Sequence, residues 1–234
     1  MVRANSIEQQ PVKFRQRLRE ISMFFQGKDE VHKTLRRLIK RLEKVGIAYA
    51  VIGGMAINAH GHVRTTGDVD VLLTAEGFAE FCRLFVPKKY ENVAGRPRRF
   101  VDRRNQVCLD VLISGRFPGS GQPGPFAFPD PEQVRQLIGK IQVVNLPTLV
   151  ELKLAARRYR DFGDVVELIR VNNLDESFTS QLHPSVRQDF IECLEEKRRE
   201  DEYDARSQSQ RYLELFKDVR RRGEVSRLTF NHAT

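Results

Sequence analysis

Two aspartates with one valine between them, Asp68-Val69-Asp70, lie inside the run Gly67-Asp68-Val69-Asp70-Val71-Leu72-Leu73. Alternate residues of a strand share a face, so both carboxylates project together while Val69 and Val71 turn to the interior. Neighbouring carboxylates raise the cost of ionising either one. A divalent cation between them relieves that cost, and hard oxygen donors suit magnesium or manganese. A third acid, Asp110, interrupts the apolar run Val107-Cys108-Leu109-Asp110-Val111-Leu112-Ile113. A carboxylate there is expensive unless it is paired or binds a metal.

The elements that must hold these acids begin upstream. The apolar stretch Tyr49 to Ile52 runs as a strand into Gly53-Gly54 and a short helix-like segment, Met55 to Ala59. Glycine reaches backbone angles closed to other residues and lets a phosphate approach the main chain. A helix start would offer free N–H groups to that phosphate. Gly53 and Gly54, a linker of 13 residues (Met55 to Gly67) and two metal-type carboxylates together describe a nucleoside-triphosphate site. The plainer alternative is a βαβ-like core in which Asp68 is a turn residue and Asp70 is solvated. Arg64 and Thr66 precede the aspartates closely enough to face the same pocket. The arginine would hold a phosphate and the threonine would orient an aspartate, the alternative being an ordinary Arg–Asp pair.

On Gly53-Gly54, the spacing to Asp68-x-Asp70 and the later Asp110, the chain resembles the DNA polymerase β-type nucleotidyltransferase superfamily. Within it, the AbiEii-like and mycobacterial-type nucleotidyltransferase toxins are the most similar, over about residues 30 to 172. The resemblance implies an α/β (α+β) fold: a mixed central sheet of about five strands flanked by helices, followed by a helical C-terminal region. Residues 1–27 would be an extension, 28–145 the core and 146–234 the helical part.

The resemblance also implies transfer of a nucleoside monophosphate from an NTP to an acceptor hydroxyl, with release of pyrophosphate. Asp68 and Asp70 would hold two Mg²⁺ or Mn²⁺ ions, and Asp110 would be a further ligand or the general base. Gly53, Gly54 and Lys153 would hold the β- and γ-phosphates. Lys153 is named by the segment Leu152 to Asp164, which is similar to a Leu-Lys…Arg…Asp segment of the family; Asp161 or Asp164 would support the site. An interhelical pair of Arg157 with Asp161 is an equal reading of that segment. Many members have Gly-Ser where this chain has Gly53-Gly54, which leaves phosphate binding to backbone donors. The implied acceptor is RNA, a tRNA 3′ end, in a toxin–antitoxin setting with an antitoxin protein as partner. A partner protein's hydroxyl, a small molecule, and a non-catalytic nucleotide-binding module are the competing readings.

Composition bounds these expectations. A chain of 234 residues with 40% hydrophobic and 30% charged residues fits a globular protein with a real core. No apolar run approaches the ~20 residues of a membrane span, and Met1 to Phe25 does not read as a signal peptide. Three scattered cysteines, Cys82, Cys108 and Cys193, make neither a disulfide framework nor a zinc site, and the expected compartment is the cytoplasm. Forty Lys and Arg against 31 Asp and Glu give a formal charge of +9, which favours a polyanionic partner.

Helical periodicity predicts a docked amphipathic helix through Phe14, Leu18, Ile21 and Phe25, and a helix from Asp29 to Val45 stopped by Gly46. A further helix is expected over 76–85, and a hairpin turns at Arg103-Arg104-Asn105. Ser114 to Pro131, with five prolines and four glycines, is a loop or flap. Lys153, Arg157 and Arg160 would form one basic stripe, with Asp161 and Asp164 starting the next helix. His60 and His62 lie before Arg64, within reach of substrate. Pro184 to Phe216 reads as two helices, and Arg220-Arg221-Arg222 as a basic tail.

Overall fold

The structure is a computed structural model that describes residues 9–118 and 121–221, with the side chains of 9–15, 212, 213 and 215–221 left aside. In chain order the elements are α1 (Gln9–Phe25), α2 (Glu30–Lys44), β1 (Tyr49–Ile52), α3 (Gly53–Ala59), β2 (Asp68–Leu73) and α4 (Ala75–Phe85). There follow β3 (Tyr90–Val93), β4 (Arg96–Asp102), β5 (Cys108–Ile113), α5 (Pro131–Val134), β6 (Arg135–Ile138) and β7 (Ile141–Val144). Helices α6 (Leu146–Ala156), α7 (Tyr159–Asn172) and α8 (Pro184–Arg221) complete the described chain. The fold is α/β: one mixed sheet in the order β3-β4-β5-β2-β1-β7-β6, flanked by helices and followed by α8.

The sheet has seven strands, two more than the roughly five expected. Strands β1 and β2 and the β4-β5 hairpin stand out in the sequence, whereas β3 and the β6-β7 hairpin do not. Ile138 pairs with Ile141 across a two-residue turn in which Gly139 takes φ +63°, a conformation that suits glycine. At the sheet centre β2 runs parallel to β5 and antiparallel to β1, and β1 runs parallel to β7. Val69, Val71, Leu109 and Val111, the residues alternating with the acids, are all buried. That alternation fixes the register, because a one-residue slip would drive three carboxylates into the core.

Helix α2 forms as its apolar spacing demands. Asp29 caps it by accepting from the N–H groups of Val31 and His32, and its stripe Val31, Leu35, Leu38, Ile39 and Leu42 is buried. Its Arg37 reaches the buried Asp102 at the end of β4 at 2.9 Å, which pins the β4-β5 hairpin to the helix layer. Helix α1 departs from expectation: Leu18, Ile21 and Phe25 are exposed, and Phe24 is the residue that joins the core. Docking therefore runs through one ring against His32, not through the periodic face, and Phe14 lies outside the described side chains.

Helix α8 is one helix of 38 residues, where two were expected. The charged run from Glu195 contains no breaker, and its opposite charges fall at helical spacing in Lys197–Asp201 and Glu202–Arg206. Its first turns pack through Val186, Phe190, Cys193 and Leu194, and Glu200 farther along pairs with Arg170 of α7 at 2.6 Å. The side chains of the Arg220-Arg221-Arg222 tail lie outside the described residues. Among the described residues no helix is long and apolar enough to cross a membrane.

Candidate active site

Two adjacent strands, β2 and β5, bring the three acids together. In the β2·β5 ladder Asp70 stands opposite Asp110, and Asp68 precedes Asp70 on the same face. One carboxylate oxygen from each of Asp68, Asp70 and Asp110 lies within 4.8 Å of the others. Burial, then the charges of Asp68 and Asp110, pushes the Asp70 carboxyl up to about 7. Burial also raises Asp110, against the pull of Arg99, whose Nη1 stands 3.3 Å from Asp110 on the adjoining β4. Thr66 donates to Asp68 Oδ1 at 2.9 Å, as its position before the acids predicts. Among the described residues this is the one group of three or more His, Cys, Asp or Glu side chains placed to hold a metal ion. Oxygen-only donors whose mutual repulsion is largely uncompensated fit a hard divalent cation.

The two glycines also make the site sterically possible. Ile52 pairs with Asp70 in the β1·β2 ladder, so the turn after β1 passes directly beside the acid. A Cβ on Gly53 would lie 1.9 Å from Asp70 Oδ2, and one on Gly54 would lie 2.7 Å from Thr66 Oγ1. The missing side chains make room for the acid and for the threonine that orients its neighbour. Gly53 also takes φ +64°. A Gly53→Ala variant therefore combines a left-handed alanine, about 1–2 kcal/mol, with overpacking of about 1–3 kcal/mol. We expect a loss of roughly 3 kcal/mol in urea unfolding. Gly46→Ala, at φ +71° with nothing within 4 Å of the added carbon, should lose only the backbone part. Equal losses in the two variants would show that the clash with Asp70 is unimportant.

The acids form part of the wall of a cleft of about 590 Å³. Gly53, Gly54, Arg64, Thr66, Lys153 and Asp161 line it too, as do Phe117, Pro118, Gly121 and Phe128 from the proline- and glycine-rich loop. That loop is closed at its base by Gly115 and Phe128, which bond through Gly115 N–H to the Phe128 carbonyl at 2.9 Å. Seven basic residues line the cleft (Arg64, Arg96, Arg98, Arg99, Lys153, Arg158, Arg160) against the four acids Asp68, Asp70, Asp110 and Asp161. The balance favours an anionic ligand.

Lys153 lines this cleft but is already engaged. It is buried, with its ammonium 2.7 Å from Asp161 and 2.6 Å from Asp164. Arg64 closes on Asp164 through Nε at 2.7 Å and Nη2 at 3.0 Å, and Arg158 meets Asp161 at 2.5 Å. Burial works to raise Asp164, but the bonds and charge of Lys153, then of Arg64, outweigh it and hold its carboxyl below the usual range. Arg64 thus forms an Arg–Asp pair, with Asp164, while lining the cleft.

Arg157 does not join the site. It ends α6 in the left-handed region at φ +52°, and its guanidinium pairs with Asp189 of α8 at 2.9 Å. The expected stripe of Lys153, Arg157 and Arg160 is broken by that turn, because Arg160 belongs to α7, and the Arg157–Asp161 pair is replaced by Arg158–Asp161. The histidines also stay out of the cleft. His60 is buried against the Val144 carbonyl at 2.8 Å, and His62 faces Glu167.

Arg96, Arg98, Arg99, Arg158 and Arg160 were not anticipated as site residues. For the β4 arginines a signal existed: Arg99 flanks the hairpin that ends in the Asp110 strand, and its cross-strand partner is that acid.

No family model and no curated protein matches this chain. Among solved structures, it is similar to a lincosamide antibiotic adenylyltransferase in its lincomycin-bound form. That match has 16% identity and a TM-score of 0.45, covering 59% of this chain and 96% of the other. It is also similar to an antigenic nucleotidyltransferase-like protein from Paracoccidioides brasiliensis, at 16% identity and a TM-score of 0.41. There the coverage is 69% of this chain and 92% of the other. At these values the likeness assigns no activity to this chain.

Proposed function

We propose that the protein is a metal-dependent nucleotidyltransferase that moves a nucleoside monophosphate from an NTP to a hydroxyl of RNA. The observation that carries this reading is the convergence of Asp68, Asp70 and Asp110 within 4.8 Å, on the wall of a cleft otherwise rich in arginine. Asp68 and Asp70 would hold Mg²⁺ or Mn²⁺, with Asp110 as a further ligand or as the base for the acceptor proton. Bound divalent cations neutralise the triphosphate and lower the pKa of an attacking hydroxyl.

The chain's own residues supply the rest. Thr66 holds Asp68 in place, and Gly53 and Gly54 let β1 approach the acids. Arg64, Lys153 and Arg158 together carry one positive charge more than Asp161 and Asp164, with which they pair, and that excess would face phosphate at the cleft wall. The acceptor hydroxyl gives up its proton as its oxygen bonds to the α-phosphorus, and pyrophosphate leaves with the electron pair of the broken P–O bond. RNA is favoured over an uncharged acceptor by Arg96, Arg98 and Arg160. All three line the cleft, are exposed and make no ion pair among the described residues.

The test is incubation with each α-labelled NTP, Mg²⁺ and total RNA in the presence of a carrier protein extract. Label on RNA of tRNA size is the expected result. Label on protein alone would replace RNA by a protein hydroxyl as acceptor, and no label on any macromolecule would contradict transfer.

A further inference from the structure

Tyr159 is 99% exposed, the highest value among the exposed large hydrophobic residues. It opens α7 between Arg158 and Arg160, both of which line the cleft that holds the acids. A ring with no face covered leaves its whole apolar surface in water, about 25 cal/mol per Å², and nothing in the fold compensates for that. The exposed residues beside it in the chain, Arg157, Arg158 and Arg160, are charged, so the ring does not continue into an apolar patch there. Tyr159 does not itself line the cleft but is flanked in the chain by two arginines that do. An exposed ring beside cations suits single-stranded nucleic acid: the ring stacks on a base and the cations take neighbouring phosphates. Arg96 and Arg98 reach the same cleft from β4 and extend the basic track beyond the acids.

We propose that Tyr159, with Arg158 and Arg160, is a stacking platform for an unpaired base of the acceptor strand, so that the protein selects a single-stranded RNA end. The proposal rests on the RNA-acceptor reading above. The NTP is the less suitable source of the base: a ring this open gives one-sided stacking along a strand, whereas a nucleotide held at the acids lies within the cleft. The Tyr159 hydroxyl has no assigned role, so phenylalanine should serve as well.

The full chain and its Tyr159→Ala and Tyr159→Phe variants would be titrated into a fluorescein-labelled single-stranded RNA without NTP. A blunt duplex of the same sequence, and Mg-ATP followed by calorimetry, are the comparison ligands. Alanine should weaken single-strand binding about ten-fold or more, as expected for loss of one stacked base. Phenylalanine should retain it, and duplex and Mg-ATP affinities should not change. Unaltered single-strand binding by Tyr159→Ala, or no binding by the wild type, would overturn the proposal. So would an equal loss on the duplex, or a loss confined to Mg-ATP. Because no transfer step is measured, failure of the platform and failure of nucleotidyl transfer are distinguishable, and the exposed position keeps folding out of the comparison.

Discussion

Asp70→Asn should abolish transfer while making the metal-free protein more stable at pH 8. The sign follows from the raised carboxyl. Asp70 ionises at about 7 in the fold, against 3.8 for the free side chain. Between those values the folded state binds more protons than the unfolded one, so wild-type stability falls as pH rises through that window. About three units correspond to at most about 4 kcal/mol, and the cleft water that still reaches Asp70 reduces this to about 2 kcal/mol. Asparagine lacks that loss, so the two proteins should melt alike near pH 4 and diverge up to pH 8. A gap that narrows with rising pH would refute the assignment. Activity moves the other way: losing a cation ligand forfeits several kcal/mol of charge stabilisation, about 10³-fold in rate. A variant both more stable and inactive marks a group kept for chemistry and not for folding.

The second large effect is expected at Lys153. Lys153→Met leaves Asp161, which is fully buried, and Asp164, which is nearly so, without the cation between them. Removing one partner of a buried ion pair costs about 3–5 kcal/mol. Arg64 and Arg158 remain on the outer oxygens, so the lower end, about 3 kcal/mol, is expected in urea unfolding. The Asp164 carboxyl is held below its ordinary range, so it adds stability above that range, and this stability is lost as pH falls through the folded value. Lys153→Met removes the contribution, and the deficit should shrink on acidification. Adding Asp161→Asn should restore part of the loss, because it removes a buried charge while the exposed Arg158 returns to solvent. No restoration would mean that the loss came from packing of the lysine stem.

Local patterns made much of this legible in the sequence. Strands β1, β2 and β5 and helix α2 follow from apolar alternation or a 3.6-residue stripe, and the three acids stand out as polar residues in apolar strands. What was not legible depends on contacts between distant segments. The reason for Gly53 is the Asp70 carboxylate opposite the end of β1, which spacing alone cannot reveal. That Lys153 lies between Asp161 and Asp164 depends on the break between α6 and α7, which Arg157 makes without a glycine. The β6-β7 hairpin was short, four residues a strand, yet Gly139 was a readable sign of its turn. Helix α8 is a single helix although Pro184 to Phe216 read as two, and its charges pair along it.

The most direct measurement is a titration of the metal-free protein with Mn²⁺, followed by electron paramagnetic resonance, in the wild type and in Asp70→Asn. The wild type should take up Mn²⁺ with loss of the free-ion signal, and Mg²⁺ should compete. Asp70→Asn, although folded and more stable, should leave the signal of the free ion. Equal uptake by the two proteins, or none by the wild type, would contradict a divalent-cation centre on Asp68, Asp70 and Asp110, and with it the proposed chemistry.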